Sequence, residues 1–337
     1  MEAEEKPSRN GLRRPMVSRG LATVIGACIA LFIASAIFAP TSVTRGPLLG
    51  MLPFAAVLGI VALGQTLVIQ QGGIDLSVPG SISLVVVICT HQAAGDDGKL
   101  LKAVVMALVA VIFAGLLNGA LIGLLDLNPI VATLGTNSLL YSVVFGVSGG
   151  IPRTTTPLLA KIAGGLSLGI PNSVYFAIGA TIVTVVVVKM TVAGRRFEAV
   201  GANLVAATTS GLRSNRHRVG AYVWAQVLYW LGGVLLAGIV TQPTAFQGNS
   251  YLLPSVAAVV LGGTSLLGGR GNLTATVVAA LFLSQLEQFV LALGVTFAVR
   301  TLVEAAALVV GVGLYTIDWR SIRRRFASPG QPSVVGP

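Results

Sequence analysis

The chain has 337 residues, 54% of them apolar and only 10% charged, with a mean hydropathy of +0.87. Soluble domains average about 25% charged residues, so this composition excludes a water-covered globule and suits lipid as the solvent. The net charge of +11 sits in loops and tails, where it reads as a topology signal and not as a footprint for nucleic acid. Residues 1–19 read as a polar cytoplasmic tail without the pattern of a cleaved leader. Apolar runs follow at roughly 20–39, 48–70, 79–94, 101–125, 130–148, 173–190, 219–240, 252–267, 273–293 and 297–317. Each is expected as a helix, because lipid leaves no partner for unpaired backbone groups. The expected fold is all-α: a polytopic transmembrane bundle of about ten spans over residues 20–317. A basic cytoplasmic tail is expected over 318–337.

The run at 79–94 is short and follows the Gly72-Gly73 pair, which predicts a broken or re-entrant helix near 71–80. Two connecting segments are long. Residues 149–172, rich in Gly, Pro and Thr, form the expected external loop; residues 191–218, polar and basic, form the expected cytoplasmic one, with a short helix at the membrane surface. With the N-terminus inside and every run crossing once, 16 of the 22 Lys and Arg residues fall inside and 6 outside. This asymmetry supports N-in, C-in and an even number of spans, eight being the alternative to ten. Cys28 and Cys89 fall in apolar runs as packing residues, with no disulfide framework. Leu63-Gly64 leading to Gly72-Gly73 is similar to Leu261-Gly262 leading to Gly268-Gly269. An internal repeat would produce this, as would the general frequency of Gly pairs in spans.

No residues of an energy-transducing site are visible. A phosphate loop needs GxxxxGK[ST], and Gly98-Lys99 lacks both its flanks. HExxH and CxxC are missing, and His91 and His217 stand too far apart to suggest a metal site. Asp75 and Ser77 precede Pro79, so Asp75 is expected to cap the following helix and to complement its positive end. A gate at the cytoplasmic mouth is the functional alternative, since a carboxylate at a membrane break is costly unless satisfied. Gln65, Gln70, Asn118, Asn137, Gln226 and Gln285 are polar residues inside spans; such groups either line a path for a neutral polyol or bind helices to one another. Glu287, Arg300 and Glu304 are expected as a structural ion-pair cluster, with a proton or substrate relay as the alternative. Asp126 is expected at a solvated boundary.

Four segments carry a resemblance in order. They are Gly64–Ser81, GQTLVIQQGGIDLSVPGS; Gly115–Gly119 followed by Asn128–Gly135; Gly194–Asn203 with Ala206, Ala207 and Gly211; and Leu261–Gly271. Together they resemble the ribose/galactose-type, simple-sugar permeases of bacterial ATP-binding-cassette (ABC) importers over about residues 50–315. Leu204 departs from the acidic residue common in that family. The resemblance implies an inner-membrane subunit with no catalytic site, working with an ABC ATPase that carries ATP and Mg. It also implies an extracytoplasmic sugar-binding protein and a second permease copy or a related one. It places coupling to the ATPase at Glu198, Gly201, Asn203, Ala206, Ala207 and Gly211. The candidate gate and path residues, read from their chemistry and their place at the break or inside spans, are Gln65, Gln70, Gly72, Gly73, Asp75, Ser77, Asn118 and Asn137. Without the resemblance, 191–218 reads equally as a basic helix resting on anionic lipid. The rival functions are an ABC permease for nucleosides or amino acids, an ion-gradient-driven transporter, and a membrane-embedded enzyme.

Overall fold

The computed structural model describes residues 19–296 together with 298, 299, 302, 305 and 306. The tenth apolar run lies outside the described residues save for those five, as do residues 1–18 and the C-terminal tail 318–337. Among the described residues, seven helices are long and apolar enough to cross a membrane. They are α1 (Arg19–Phe38), α2 (Arg45–Gln70), α4 (Asp97–Gly123), α5 (Pro129–Ser148), α7 (Asn172–Val185, continued by a wider turn over Val186–Met190), α10 (Ser214–Ile239) and α12 (Leu273–Ala292). Shorter helices fill the breaks between them: α3 (Val78–Ala93), α6 (Pro157–Gly164), α8 (Val192–Ala202), α9 (Leu204–Thr209) and α11 (Leu252–Leu261). The described strand structure is one pair of two-residue strands, Leu166–Ser167 against Ile170–Pro171, inside the 149–172 loop. The chain is an all-α polytopic membrane protein.

The run 252–267 does not form the continuous helix expected of it. It makes ten helical residues and then leaves the helix at Gly262, and Gly263, Gly268 and Gly269 take positive φ. Helix propensity loses here to a glycine-rich turn that packs its backbone closely on other elements.

Burial along the helices identifies the centre of the bundle. In the most apolar stretch of α2, 89% of residues are buried inside the protein, against 33% in α4 and 17% in α1. The outward faces carry Ile29, Ile33 and Ile37 on α1 and Val105, Val109 and Phe113 on α4. An apolar surface of this extent suits a hydrocarbon surround. Small residues let α10 approach three neighbours. A Cβ at Gly64 of α2 would lie 2.6 Å from the Tyr229 ring, and one at Gly233 would lie 2.8 Å from Val85 of α3. Gly115 and Gly119, four apart on α4, each meet an α10 backbone Cα at 2.9 Å by the same measure. Close backbone approach of this kind binds helices in lipid, where the hydrophobic effect gives no drive.

Candidate functional site: the broken helix and the segment docked on it

The helix α2 stops at Gln70, and Gly72 turns the chain with φ +78°, a conformation that costs glycine little. Seven residues separate Gln70 from the start of α3 at Val78, and Pro79 lies in its first turn. Between them Asp75 and Ser77 are completely buried. Among the described residues Asp75 is the one charged side chain in the buried set. A buried carboxylate without a cation needs several hydrogen bonds to remain tolerable. It has them: its Oδ1 accepts from the Ser77 N–H at 2.9 Å and the Ser77 hydroxyl at 2.5 Å, and its Oδ2 from Gln226 Nε2 at 3.5 Å.

The expected capping role is therefore shared differently. Asp75 closes a turn onto Ser77, whereas the first-turn amide of α3, Gly80 N–H, donates to Asn137 Oδ1 of α5 at 2.8 Å. Asn118 of α4 and Gln226 of α10 both donate to Ser77 Oγ, at 3.0 and 3.1 Å. Thr133 of α5 accepts from the Leu76 N–H at 3.0 Å. Three helices thus clamp one break. Gln65 lies one helical stretch away, accepting from the Tyr229 hydroxyl at 2.9 Å. Sequence reasoning did not single out Thr133, Tyr222 or Tyr229. The signal was helical spacing: Thr133 and Asn137 share a face of α5, and Tyr222, Gln226 and Tyr229 share a face of α10. Gly73 faces the Tyr222 hydroxyl so closely that a side chain there would overlap it.

The end of α2 is also a meeting point. The Gln70 carbonyl accepts from Gly269 N–H at 2.9 Å. A side chain at Gly201 would overlap that same carbonyl, and one at Gly271 would overlap the Gln70 amide. Gln71 Nε2 donates to the Phe197 carbonyl at 2.9 Å. A Cβ at Gly268 would stand 3.2 Å from the Gly72 nitrogen, and one at Gly269 would stand 3.1 Å from Ala202 Cα. So the segment 191–218, the helix break and the late glycine loop form one backbone-packed junction. The two similar glycine segments noted in the sequence touch each other here.

Inside 191–218 the chain makes two short helices instead of one. Thr191 caps α8 through Gly194 N–H at 3.0 Å. Asn203 ends α8 and starts α9, its side chain accepting from Ala206 N–H at 2.9 Å. Ala207 is buried, and Gly211 closes α9 with φ +82°. Leu204 and Val205 point outward at the tip. Lys189 pairs with Glu198 across the joint between α7 and α8. Asp126 at the end of α4 is exposed and pairs with Arg218. The remaining sequence-predicted group is not brought to the junction: Glu287 is exposed on α12, and Arg300 and Glu304 lie outside the described residues. No group of His, Cys, Asp and Glu suited to a metal ion occurs among the described residues.

Comparison with known proteins gives this geometry its context. The family described as branched-chain amino acid transport system / permease component matches residues 47–316. A probable ABC transporter permease protein of Sinorhizobium fredii is 32% identical over 306 residues, covering 90% of each chain. The ribose import permease protein of Bacillus subtilis is 32% identical, over 88% of this chain and 92% of its own. The fructose import permease protein of Bifidobacterium longum is 29% identical, over 88% and 87%. No solved structure matches. By the extent of the family match and of these relatives, the chain belongs to the permease components of ABC importers.

Proposed function

We propose that the chain is the membrane subunit of an ABC importer for a simple sugar, seated in a bacterial inner membrane with both termini inside. Two copies, or one copy and a related chain, pair with two cytoplasmic ATPases. ATP and Mg are held by those partners, and this chain carries no catalytic step of its own. The relatives named for ribose and fructose import favour a sugar over the amino acid in the family's description.

The observation that carries this reading is the contact of Gly201 with the Gln70 carbonyl. A permease without a motor must receive work through a protruding element. Here α8 and α9 protrude, expose Leu204 and Val205, and rest directly on the end of the central helix. In the proposed cycle the ATPases grip α9 and tilt α8. The backbone-packed junction passes that tilt to the break at 71–77, and Asp75, Ser77, Asn118 and Gln226 exchange partners as the path opens. A binding protein delivers the sugar at the opposite end, the 149–172 loop forming part of its landing surface.

The test is reconstitution in proteoliposomes with the ATPase and the binding protein. Radiolabelled sugar uptake is expected only with ATP and with all components. Uptake by this chain alone, driven by a proton or sodium gradient, would overturn the proposal.

A further inference from the structure

Two cavities of similar size open on the protein, and their walls differ. One, of about 430 Å³, lies between α7 and α10. Two of its polar groups are already used inside the protein: the Tyr175 hydroxyl donates to Ser167 O at 2.9 Å and the Trp230 indole to Val104 O at 3.0 Å. Two more, the Thr184 hydroxyl and the Trp224 indole N–H, are buried without a partner among the described residues, but the rest of the wall is aliphatic and aromatic, which suits a lipid tail.

The other cavity, of about 460 Å³, lies between the first half of α2, the segment 247–254 and the last half of α12. Both volumes fall within the range of small-molecule sites, about 300–1,000 Å³. Six polar side chains line this second cavity: Gln247, Ser250, Tyr251, Ser284, Glu287 and Gln288. The Ser250 and Ser284 hydroxyls and the Gln288 amide have no hydrogen-bond partner among the described residues, although Ser284 is only 8% exposed. Phe54 and Tyr251 add aromatic surface.

The backbone beside it is unusual for a membrane protein. After α10 ends at Ile239, the chain turns back into the bundle without an α-helix until Leu252. Gly248 N–H donates to Ser83 Oγ at 3.0 Å, and Tyr141 donates to Asn249 Oδ1 at 2.5 Å, so this segment is held against α3 and α5. Non-helical backbone at membrane depth occurs where it is buried in protein or lines a water-filled cavity. Here the chain makes one short 3-10 helix, Gln247–Tyr251, in which Gly248 and Tyr251 are buried and Gln247, Ser250 and Tyr251 line the cavity. The cavity reaches Leu58 on α2 and no further, about 18 Å along the helix from the junction at Gln70.

We propose that this cavity is an aqueous vestibule that receives a neutral polyol from the binding protein and holds it weakly before passage. Gln247 and Gln288 offer both donors and acceptors to vicinal hydroxyls, and Ser250 and Ser284 offer single hydroxyls. Phe54 and Tyr251 cover the C–H face of a sugar ring. The sugar assignment rests on the import function proposed above; the aqueous character of the cavity does not.

The test uses the assembled complex in proteoliposomes, in a Cys28→Ala, Cys89→Ala background. Single variants Ser250→Cys and Ser284→Cys are exposed, from the binding-protein side, to a charged, membrane-impermeant methanethiosulfonate. Ser255→Cys, at a fully buried position of α11, is the control. Uptake is measured with radiolabelled D-ribose, D-fructose and D-galactose, each with the cognate binding protein. Both cavity cysteines are expected to label and the control to stay unlabelled. Labelling should cut uptake about tenfold while basal ATP hydrolysis stays within about twofold, because the obstruction lies in the path and not at the motor. The transported sugar should slow labelling. Absence of labelling, as a lipid-filled cavity would give, or labelling with undiminished uptake overturns the vestibule. Labelling of both cavity cysteines, when the wild-type complex imports none of the three sugars, overturns the sugar assignment and supports the aqueous vestibule.

Discussion

The two ends of α2 are built on opposite principles. Around Gln70 the neighbours are glycines, Gly201, Gly268 and Gly269 approach backbone to backbone, and a single added carbon at Gly201 has no room. Around Met51, Phe54 and Leu58 the wall is open and lined with amides and hydroxyls. A packed junction transmits displacement because interiors near crystal density do not yield. An open polar wall cannot transmit displacement, but it can hold water and a polar solute. One central helix thereby joins a region suited to receiving mechanical work to a region suited to receiving cargo.

The strongest way to break this comparison is to crowd the junction. Gly201→Val would drive its side chain into the Gln70 carbonyl, which cannot move without moving α2. Overpacking of a rigid neighbour costs about 3 kcal/mol at the upper end of the usual range. ATP-driven uptake is expected to fall about a hundredfold, as misplacement of a working element by an ångström can do. Gly201→Ala adds less bulk and should retain more transport. Thermal unfolding in detergent and ATPase assembly, measured on both, separate strain from loss of coupling. Full transport by Gly201→Val would remove the junction from the mechanism.

The break itself should be less sensitive. Asp75→Ala leaves the Ser77 N–H and the Ser77 hydroxyl without their acceptor and takes one of two acceptors from the Gln226 amide. Hydrogen bonds to a charged group contribute about 2 kcal/mol net, so the melting temperature in detergent should drop measurably. Asp75→Asn keeps the shape and one acceptor oxygen, and should recover part of the loss. Asn137→Ala comes next: it removes a cap from Gly80 N–H, worth about 1 kcal/mol by analogy with ordinary helix caps. Its uptake should fall by less than that of Asp75→Ala, because Asn137 holds α3 to α5 and contacts neither Asp75 nor Ser77 through a hydrogen bond.

Much of this was legible in the sequence, for physical reasons that differ by region. Lipid enforces helices wherever the chain is apolar for long enough, so α2, α4 and α10 follow from composition and run length alone. The break at Gly72 was equally visible, since a glycine pair before a proline leaves helix few ways to continue. The contact between that break and the segment at 191–218 was not visible. It depends on Gly201, Gly268 and Gly271 meeting Gln70 in space, and a glycine that permits close approach looks in sequence like one that permits a turn. The capping of α3 was misassigned for a related reason: Asp75 is the local candidate, but Asn137 reaches the same helix end from another span. The cavity escaped notice because Gln247 and Ser250 lie in a loop and Ser284 in a span, and only the fold brings them to one wall. The 252–267 run illustrates the limit of apolarity, which predicts burial but not the conformation that achieves it.

The smallest expected effect sharpens the comparison most. Lys189 and Glu198 join the wide turn after α7 to α8, and their side chains remain 45% and 30% exposed. Exposed ion pairs of this kind contribute about 0.5 kcal/mol, screened by salt. If the junction at Gln70 alone fixes the angle of α8, the pair is dispensable. Lys189→Ala, Glu198→Ala and the double variant should then unfold within about a degree of one another and transport at nearly the wild-type rate. A double-mutant cycle should give a coupling of about 0.5 kcal/mol or less that fades as salt is raised. A coupling several times larger, insensitive to salt and accompanied by loss of uptake in both single variants, would mean that α8 is held from its α7 side as well. The work of the ATPases would then have two routes into the bundle, and the packed end of α2 would be only one of them.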